Sequence, residues 1–150
     1  MDSYATFNDV LVRLFNEIMD IEERAIITEE FKDITNNDMH VIEAIGISTM
    51  KNMSTIARAL SVTVGTLTIS INSLVKKGYV VRNRSEKDRR VVYISLTEKG
   101  RKAYRHHEEF HKKMIDAMTK DLSQEETQVL VKALTNLRVF FRGYPIEETP

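Results

Sequence analysis

Two histidines four positions apart are the residues of this sequence best suited to metal chemistry. They bound the segment His107-Glu108-Glu109-Phe110-His111, which fits the H-E-x-x-H pattern and lies on a predicted helix. In zinc proteases with this pattern, the histidines bind the ion and the glutamate activates water. The alternative is that His107 belongs to an apolar helix face and is buried, while both glutamates are solvated. No cleft-forming segment accompanies the motif, so we expect no enzyme and no cofactor, and we keep His107 and His111 only as candidate metal ligands.

A second group of side chains is suited to hydrogen bonding with DNA bases. Leu67, Ile71 and Leu74 recur at helical spacing, and they predict a helix capped by Thr63 and closed by Gly78. Asn72 on the opposite face has the groups to pair with adenine, and Ile69 suits a thymine methyl group. An exposed isoleucine is also common on ordinary protein surfaces. The predicted DNA contacts of this helix are Thr66, Thr68, Ile69, Asn72, Ser73, Lys76 and Lys77, of which the two lysines suit phosphates.

A β-hairpin with a basic loop is predicted directly after this helix. Residues 79–84 and 91–96 are rich in β-branched and aromatic side chains, and they predict two antiparallel strands. Residues 76–105 contain 11 basic and 3 acidic residues, a local charge of +8, whereas residues 1–50 carry −8 and the whole chain 0. Basic loops are often only solvated surface, but a local field of one sign can steer a polyanion that the net charge would not.

The remaining patterns predict a mainly α-helical chain of 150 residues forming one domain. Helices are predicted over about 5–27, from the cap at Thr35 to Gly46, over about 52–60, from Thr97 to about Lys120, and from the cap at Ser123 to Phe141. Two short helices, a turn and a hairpin form the layout of a winged helix-turn-helix. The chain has no cysteine, which excludes disulfides and thiolate zinc sites. No apolar run is long enough to cross a bilayer, so we expect a cytoplasmic protein with no membrane partner.

Several spaced motifs resemble the MarR (multiple antibiotic resistance regulator) family. They are Asp88-Arg89-Arg90, Leu96-Thr97-Glu98-Lys99-Gly100 and the run from Leu74 to Val80. The resemblance implies a homodimer whose wing arginine, here Arg90, enters the DNA minor groove while Asp88 orients it. A narrow A·T-rich minor groove concentrates negative potential, which makes this role physically reasonable. The wing residues expected to contact DNA are Arg82, Arg84, Ser85, Asp88, Arg89 and Arg90.

The resemblance extends to the FabT-type repressors of fatty-acid synthesis, through segments such as Phe31-Lys32-Asp33-Ile34, Met39-His40 and Phe110-His111-Lys112. It implies binding to double-stranded operator DNA, with acyl-acyl carrier protein as a corepressor. Because a dimer presents two recognition helices about one DNA turn apart, the operator should be an imperfect palindrome. A MarR-family regulator that responds to a different small ligand or a metal would share all these DNA contacts, and only its effector would differ.

The terminal helices supply the dimer in this interpretation. We expect residues 1–30 and 103–145 to form dimerisation helices, and residues 35–102 to form the winged helix-turn-helix lobe. Both terminal segments carry wide apolar stripes, which need a partner surface to be buried. The expected dimer contacts are Phe7, Leu11, Leu14, Ile18, Leu130, Leu134, Leu137 and Phe141.

Overall fold

The computed structural model describes residues 2–26, 28 and 30–144 and is mainly helical, as predicted. Positions 1, 27, 29 and 145 of the predicted terminal helices lie outside the described residues. Two compact units are present, within Met1–Phe110 and within His111–Pro150. The elements in chain order are α1 (Ser3–Asp9), a π-helical turn (Val10–Leu14), α2 (Phe15–Ile26), α3 (Asn36–Ile45), β1 (Lys51–Asn52), α4 (Met53–Leu60), α5 (Val64–Lys77), β2 (Val80–Arg84), β3 (Val92–Leu96), α6 (Glu98–Thr119) and α7 (Gln124–Arg142).

The helix boundaries follow the capping residues found in the sequence. Thr35 and Asp38 form a reciprocal capping box at the start of α3, and Ser123 and Glu126 form another at the start of α7. The Thr63 hydroxyl accepts a bond from the Thr66 amide at 3.1 Å and begins α5. Gly78 ends α5 with φ of +88°, a left-handed conformation that favours glycine. Local hydrogen bonding therefore determines where these helices begin and end.

The sheet has three strands in the order β1-β3-β2, one more than the predicted hairpin. β2 and β3 pair antiparallel with Val80 opposite Leu96 and Arg84 opposite Val92, which confirms the wing, with each strand beginning one residue later than predicted. The additional strand β1 is only Lys51–Asn52 and pairs with Ile94 and Tyr93. Two residues are too few to show an alternating pattern, so the sequence contained no signal for it.

The core of the first unit lies between α3, α4, α5 and the sheet. Its buried side chains include Ile42, Ile56, Leu67, Ile71 and Ile94, with the α5 members as predicted. Tyr79, between α5 and β2, is fully buried, and its hydroxyl donates to Asp33 Oδ1 at 2.6 Å. The core thereby fixes the orientation of α5 and of the wing relative to each other.

The predicted first helix contains a π-helical turn, between Val10 and Leu14, that the periodicity did not indicate. Its apolar residues remain largely uncovered: Phe7 is 66% exposed, and Leu11 and Leu14 are each 42% exposed. None of the described residues of the second unit is buried, and Leu134 and Phe141 of α7 are exposed. Exposed apolar patches of this kind mark interaction surfaces.

No single helix among the described residues is long and apolar enough to span a membrane. The bent pair α4 and α5 reaches the required length and composition only when the two helices are counted together.

The Tyr79–Asp33 bond predicts a pH-dependent stability. The hydrogen bond from Tyr79 lowers the pKa of the Asp33 carboxyl below its ordinary value of 3.8, against a smaller opposing effect of burial. Because the folded-state pKa is lowered, this stabilisation is present above pH 3.8 and is lost as the pH falls through the folded-state pKa. Tyr79→Phe should cost about 1 kcal/mol in the free energy of unfolding at pH 7, and the cost should shrink below about pH 4.

Urea denaturation at pH 7 and at pH 3 measures the cost of Tyr79→Phe in the free energy of unfolding at each pH. Tyr93→Phe on β3 is the matched control and should have a smaller, pH-independent effect. An equal cost of Tyr79→Phe at both pH values would contradict the role of this bond.

Candidate nucleic-acid interface

The exposed face of α5 has the composition predicted for a recognition helix. Gly65, Ile69, Asn72 and Lys76 are all exposed, and Ile69 is 73% exposed despite its apolar side chain. Leu67, Ile71 and Leu74 on the opposite face are buried. A mostly uncharged, hydrogen-bonding surface with one projecting apolar group is therefore available to enter a groove.

The hydroxyl groups that flank this face are partly occupied. Thr63 Oγ1 donates to Thr66 Oγ1 at 3.0 Å. Thr68 Oγ1 donates to the Val64 carbonyl of its own helix at 2.8 Å, and both Thr68 and Ser73 are half-buried. Of the predicted contacts Thr66, Thr68 and Ser73, only Thr66 is exposed, so its hydroxyl is the best placed for a contact outside the protein.

The two lysines at the end of α5 have different environments. Lys76 is exposed, whereas the Lys77 ammonium lies 2.7 Å from Asp38 Oδ2 of α3 in a largely buried ion pair. Asp38 also accepts a bond from the Thr35 amide, so the pair joins the end of α5 to the capping box of α3. The charge of Lys77 is therefore directed into the protein, whereas the charge of Lys76 faces solvent.

The wing loop holds Arg90 by a two-point ion pair. Arg90 Nε donates to Asp88 Oδ1 at 3.1 Å, and Arg90 Nη2 donates to Asp88 Oδ2 at 3.2 Å. These hydrogen bonds lower the pKa of the Asp88 carboxyl below its ordinary value. The Ser85 hydroxyl accepts from the Asp88 amide at 3.3 Å and shapes the loop, while the Arg90 side chain is 91% exposed. The guanidinium is therefore oriented yet accessible at the tip of the wing.

The basic residues of the strands and loop are also accessible. Arg82, Arg84 and Arg89 are exposed. Arg82 donates through Nη2 to the side-chain oxygen of Asn72 on α5, so the wing and the recognition helix are linked by a side-chain bond. The structure thus places the predicted DNA residues of α5 and the wing in the same compact unit, Met1–Phe110.

The histidine motif does not form the arrangement of a zinc protease. His107 is buried, and its Nε2 lies 2.7 Å from Glu43 Oε1 and 3.2 Å from Glu22 Oε1. Glu108, which would activate water in that pattern, is exposed on α6, and His111 is half-buried one helical turn after His107. The carboxylates that reach His107 come from α2 and α3, which the sequence motif did not indicate.

Comparison with known proteins identifies the family. Residues 25–106 match the family model described as transcriptional regulator SarA/Rot. The chain is 30% identical over 127 residues to the HTH-type transcriptional regulator PchR of Bacillus subtilis, covering 81% of this chain and 75% of that protein. The chain belongs to the MarR family of transcriptional regulators. As a MarR/SarA-type transcriptional regulator it binds DNA, and the relatives and structural neighbours it matches are transcription regulators rather than enzymes.

Solved structures of MarR-family proteins share this fold. This MarR-family chain is 43% identical in sequence to Streptococcus pneumoniae FabT, which was crystallised in complex with DNA. The two structures align with a TM-score of 0.83 over 93% of this chain and 98% of that one. The S. aureus MepR–DNA complex is similar in fold alone, with 22% identity and a TM-score of 0.68 over 93% of this chain and 99% of that one.

Proposed function

We propose that this protein is a FabT-like repressor that binds, as a homodimer, to imperfect palindromic operators of fatty-acid synthesis genes. The observation that carries the proposal is the 43% identity to S. pneumoniae FabT over nearly the full chain. Through the resemblance to FabT-type repressors, long-chain acyl-acyl carrier protein is the expected corepressor.

The exposed apolar residues support the homodimer. Phe7, Leu11 and Leu14 on the first helical segment and Leu134 and Phe141 on α7 are apolar and exposed in the single chain. Ile18, Leu130 and Leu137 are half-buried members of the same stripes. A second copy of the chain would remove this surface from water, and its two-fold symmetry would match a palindromic operator.

Selection from a randomised DNA pool tests the DNA-binding part of the proposal. The purified protein should enrich an imperfect palindrome with half-sites centred about 10 base pairs apart, bound by one dimer. Enrichment of no motif, or of a single half-site bound by a monomer, would contradict it.

A metal-responsive regulator is the second candidate function. The observation in its favour is the convergence of Glu22 and Glu43 on His107 Nε2, since imidazole nitrogen and carboxylate oxygens are ligands of zinc. These groups come from α2, α3 and α6, so an ion held by them would link α3 of the DNA-binding lobe to α2 and to the part of α6 that carries His107.

The effector distinguishes the two candidates. Affinity for the selected operator should rise about fivefold or more with long-chain acyl-acyl carrier protein and remain unchanged with the unacylated carrier. A response to zinc that is lost in His107→Ala, with none to the acylated carrier, would favour the metal-responsive regulator and overturn the FabT-like assignment.

A further inference from the structure

The side chain of Asn72 is bonded within the protein. Its carbonyl oxygen, Oδ1, accepts a hydrogen bond from Nη2 of Arg82, which lies ten positions later on β2. Both residues are exposed, so this bond lies on the surface of the lobe. An adenine contact by asparagine uses the amide oxygen as acceptor and the amide nitrogen as donor. The amide oxygen that Asn72 would offer to adenine thus already accepts a hydrogen bond from the Arg82 guanidinium.

The strand register explains why Arg82 reaches α5. Side chains alternate between the two faces of a strand, so Val80, Arg82 and Arg84 share one face of β2. Val80 is buried, and Arg82 lies opposite the fully buried Ile94 of β3. Arg82 therefore extends from the core-facing side of the wing, and the bond to Asn72 holds its guanidinium beside the recognition helix.

The position of Asn72 in α5 favours the DNA backbone over the bases. Asn72 is the ninth of the 14 residues of α5. In helix-turn-helix proteins the N-terminal residues of the recognition helix contact base edges. The second half of α5 also carries Lys76, an exposed cation suited to phosphate. An arginine retains four N–H donors after one has bonded to Asn72, and its planar fork suits a phosphate.

We propose that Arg82 contacts a backbone phosphate and that Asn72 is the positioning residue that directs its guanidinium there. This inference rests on the proposed DNA-binding function. It gives Asn72 a role different from the adenine contact expected from the sequence. Because Asn72 acts through Arg82, its removal should weaken binding to all sequences alike and should leave the base preference of the protein unchanged.

A double-mutant cycle on the selected operator tests the inference. Asn72→Ala and Arg82→Ala should each lower affinity about tenfold, and the double variant should bind within about twofold of Arg82→Ala, since the two residues act as one unit. The matched control combines Asn72→Ala with Lys76→Ala, whose effects should multiply. Multiplying effects of Asn72→Ala and Arg82→Ala would overturn the proposal.

Two further readouts separate positioning from base reading and from a merely structural role. Both single variants should reduce the slope of log affinity against log salt by about one, because each removes the same phosphate contact. Selection with Asn72→Ala from a randomised pool should return the wild-type motif. Loss of preference at one position per half-site would show that Asn72 reads a base, and an unchanged salt slope would exclude the phosphate contact. Absence of operator binding by the wild-type protein would instead refute the proposed function itself.

Discussion

Arg90→Ala should lower affinity for the selected operator by at least about tenfold, the largest loss expected from any single wing residue. The Arg90 side chain is 91% exposed and is held by two hydrogen bonds to Asp88. An arginine oriented before binding loses less conformational entropy on entering a narrow minor groove, where the negative potential is strongest. The loss should therefore be greatest on operators with A·T-rich flanks.

Fluorescence anisotropy with a labelled operator measures this loss. Arg24→Ala, which removes an exposed arginine of α2, is the matched control and should bind within about twofold of the wild type. Asp88→Ala should cause a smaller loss than Arg90→Ala, because it keeps the cation and removes only its orientation. Undiminished binding by Arg90→Ala would refute the role of the wing.

Gly100→Ala should cost about 3 kcal/mol or more in the free energy of unfolding. A Cβ atom at position 100 would lie 2.1 Å from the carbonyl oxygen of Tyr79 and 3.1 Å from its carbonyl carbon. The backbone of Tyr79 cannot move away easily, since Tyr79 is fully buried and its carbonyl accepts a hydrogen bond from the Thr97 amide at 3.0 Å. Relief of the clash would require the start of α6 to separate from the junction of α5 and β2.

Urea denaturation followed by circular dichroism measures this cost. Gly65→Ala is the matched control: a Cβ there meets only Thr63 Oγ1 at 3.9 Å, so the substitution should leave stability unchanged or raise it slightly through helix propensity. A cost below about 1 kcal/mol for Gly100→Ala would contradict the close approach of α6 to Tyr79.

The parts of the fold encoded by local hydrogen bonding were predictable from the sequence. Thr35, Thr63 and Ser123 cap their helices as expected, and Gly78 ends α5 in a left-handed conformation. The buried stripe of α5 also predicted its exposed face, including Ile69. Caps and periodicity depend on residues within a few positions of each other, and a single sequence displays them directly.

The parts that depend on distant partners were not predictable. Lys77 pairs with Asp38 at a separation of 39 positions, and the carboxylate of Glu22 reaches His107 from another helix. Arg82 and Asn72 are only ten positions apart, but their bond depends on how β2 packs beside α5. The π-helical turn at Val10–Leu14 keeps the apolar periodicity of a helix and so left no separate pattern. Tertiary packing determines these features.

Hydroxyl-radical footprinting of the selected operator tests the central claim most directly, that α5 and the wing of a symmetric dimer bind DNA together. We expect the wild-type protein to protect two half-sites centred about 10 base pairs apart, together with a minor groove on each outer flank. With Arg90→Ala at saturating concentration, the flanking protection should disappear while the half-site protection remains. A single unbroken protected stretch, or flanking protection that persists in Arg90→Ala, would contradict this arrangement.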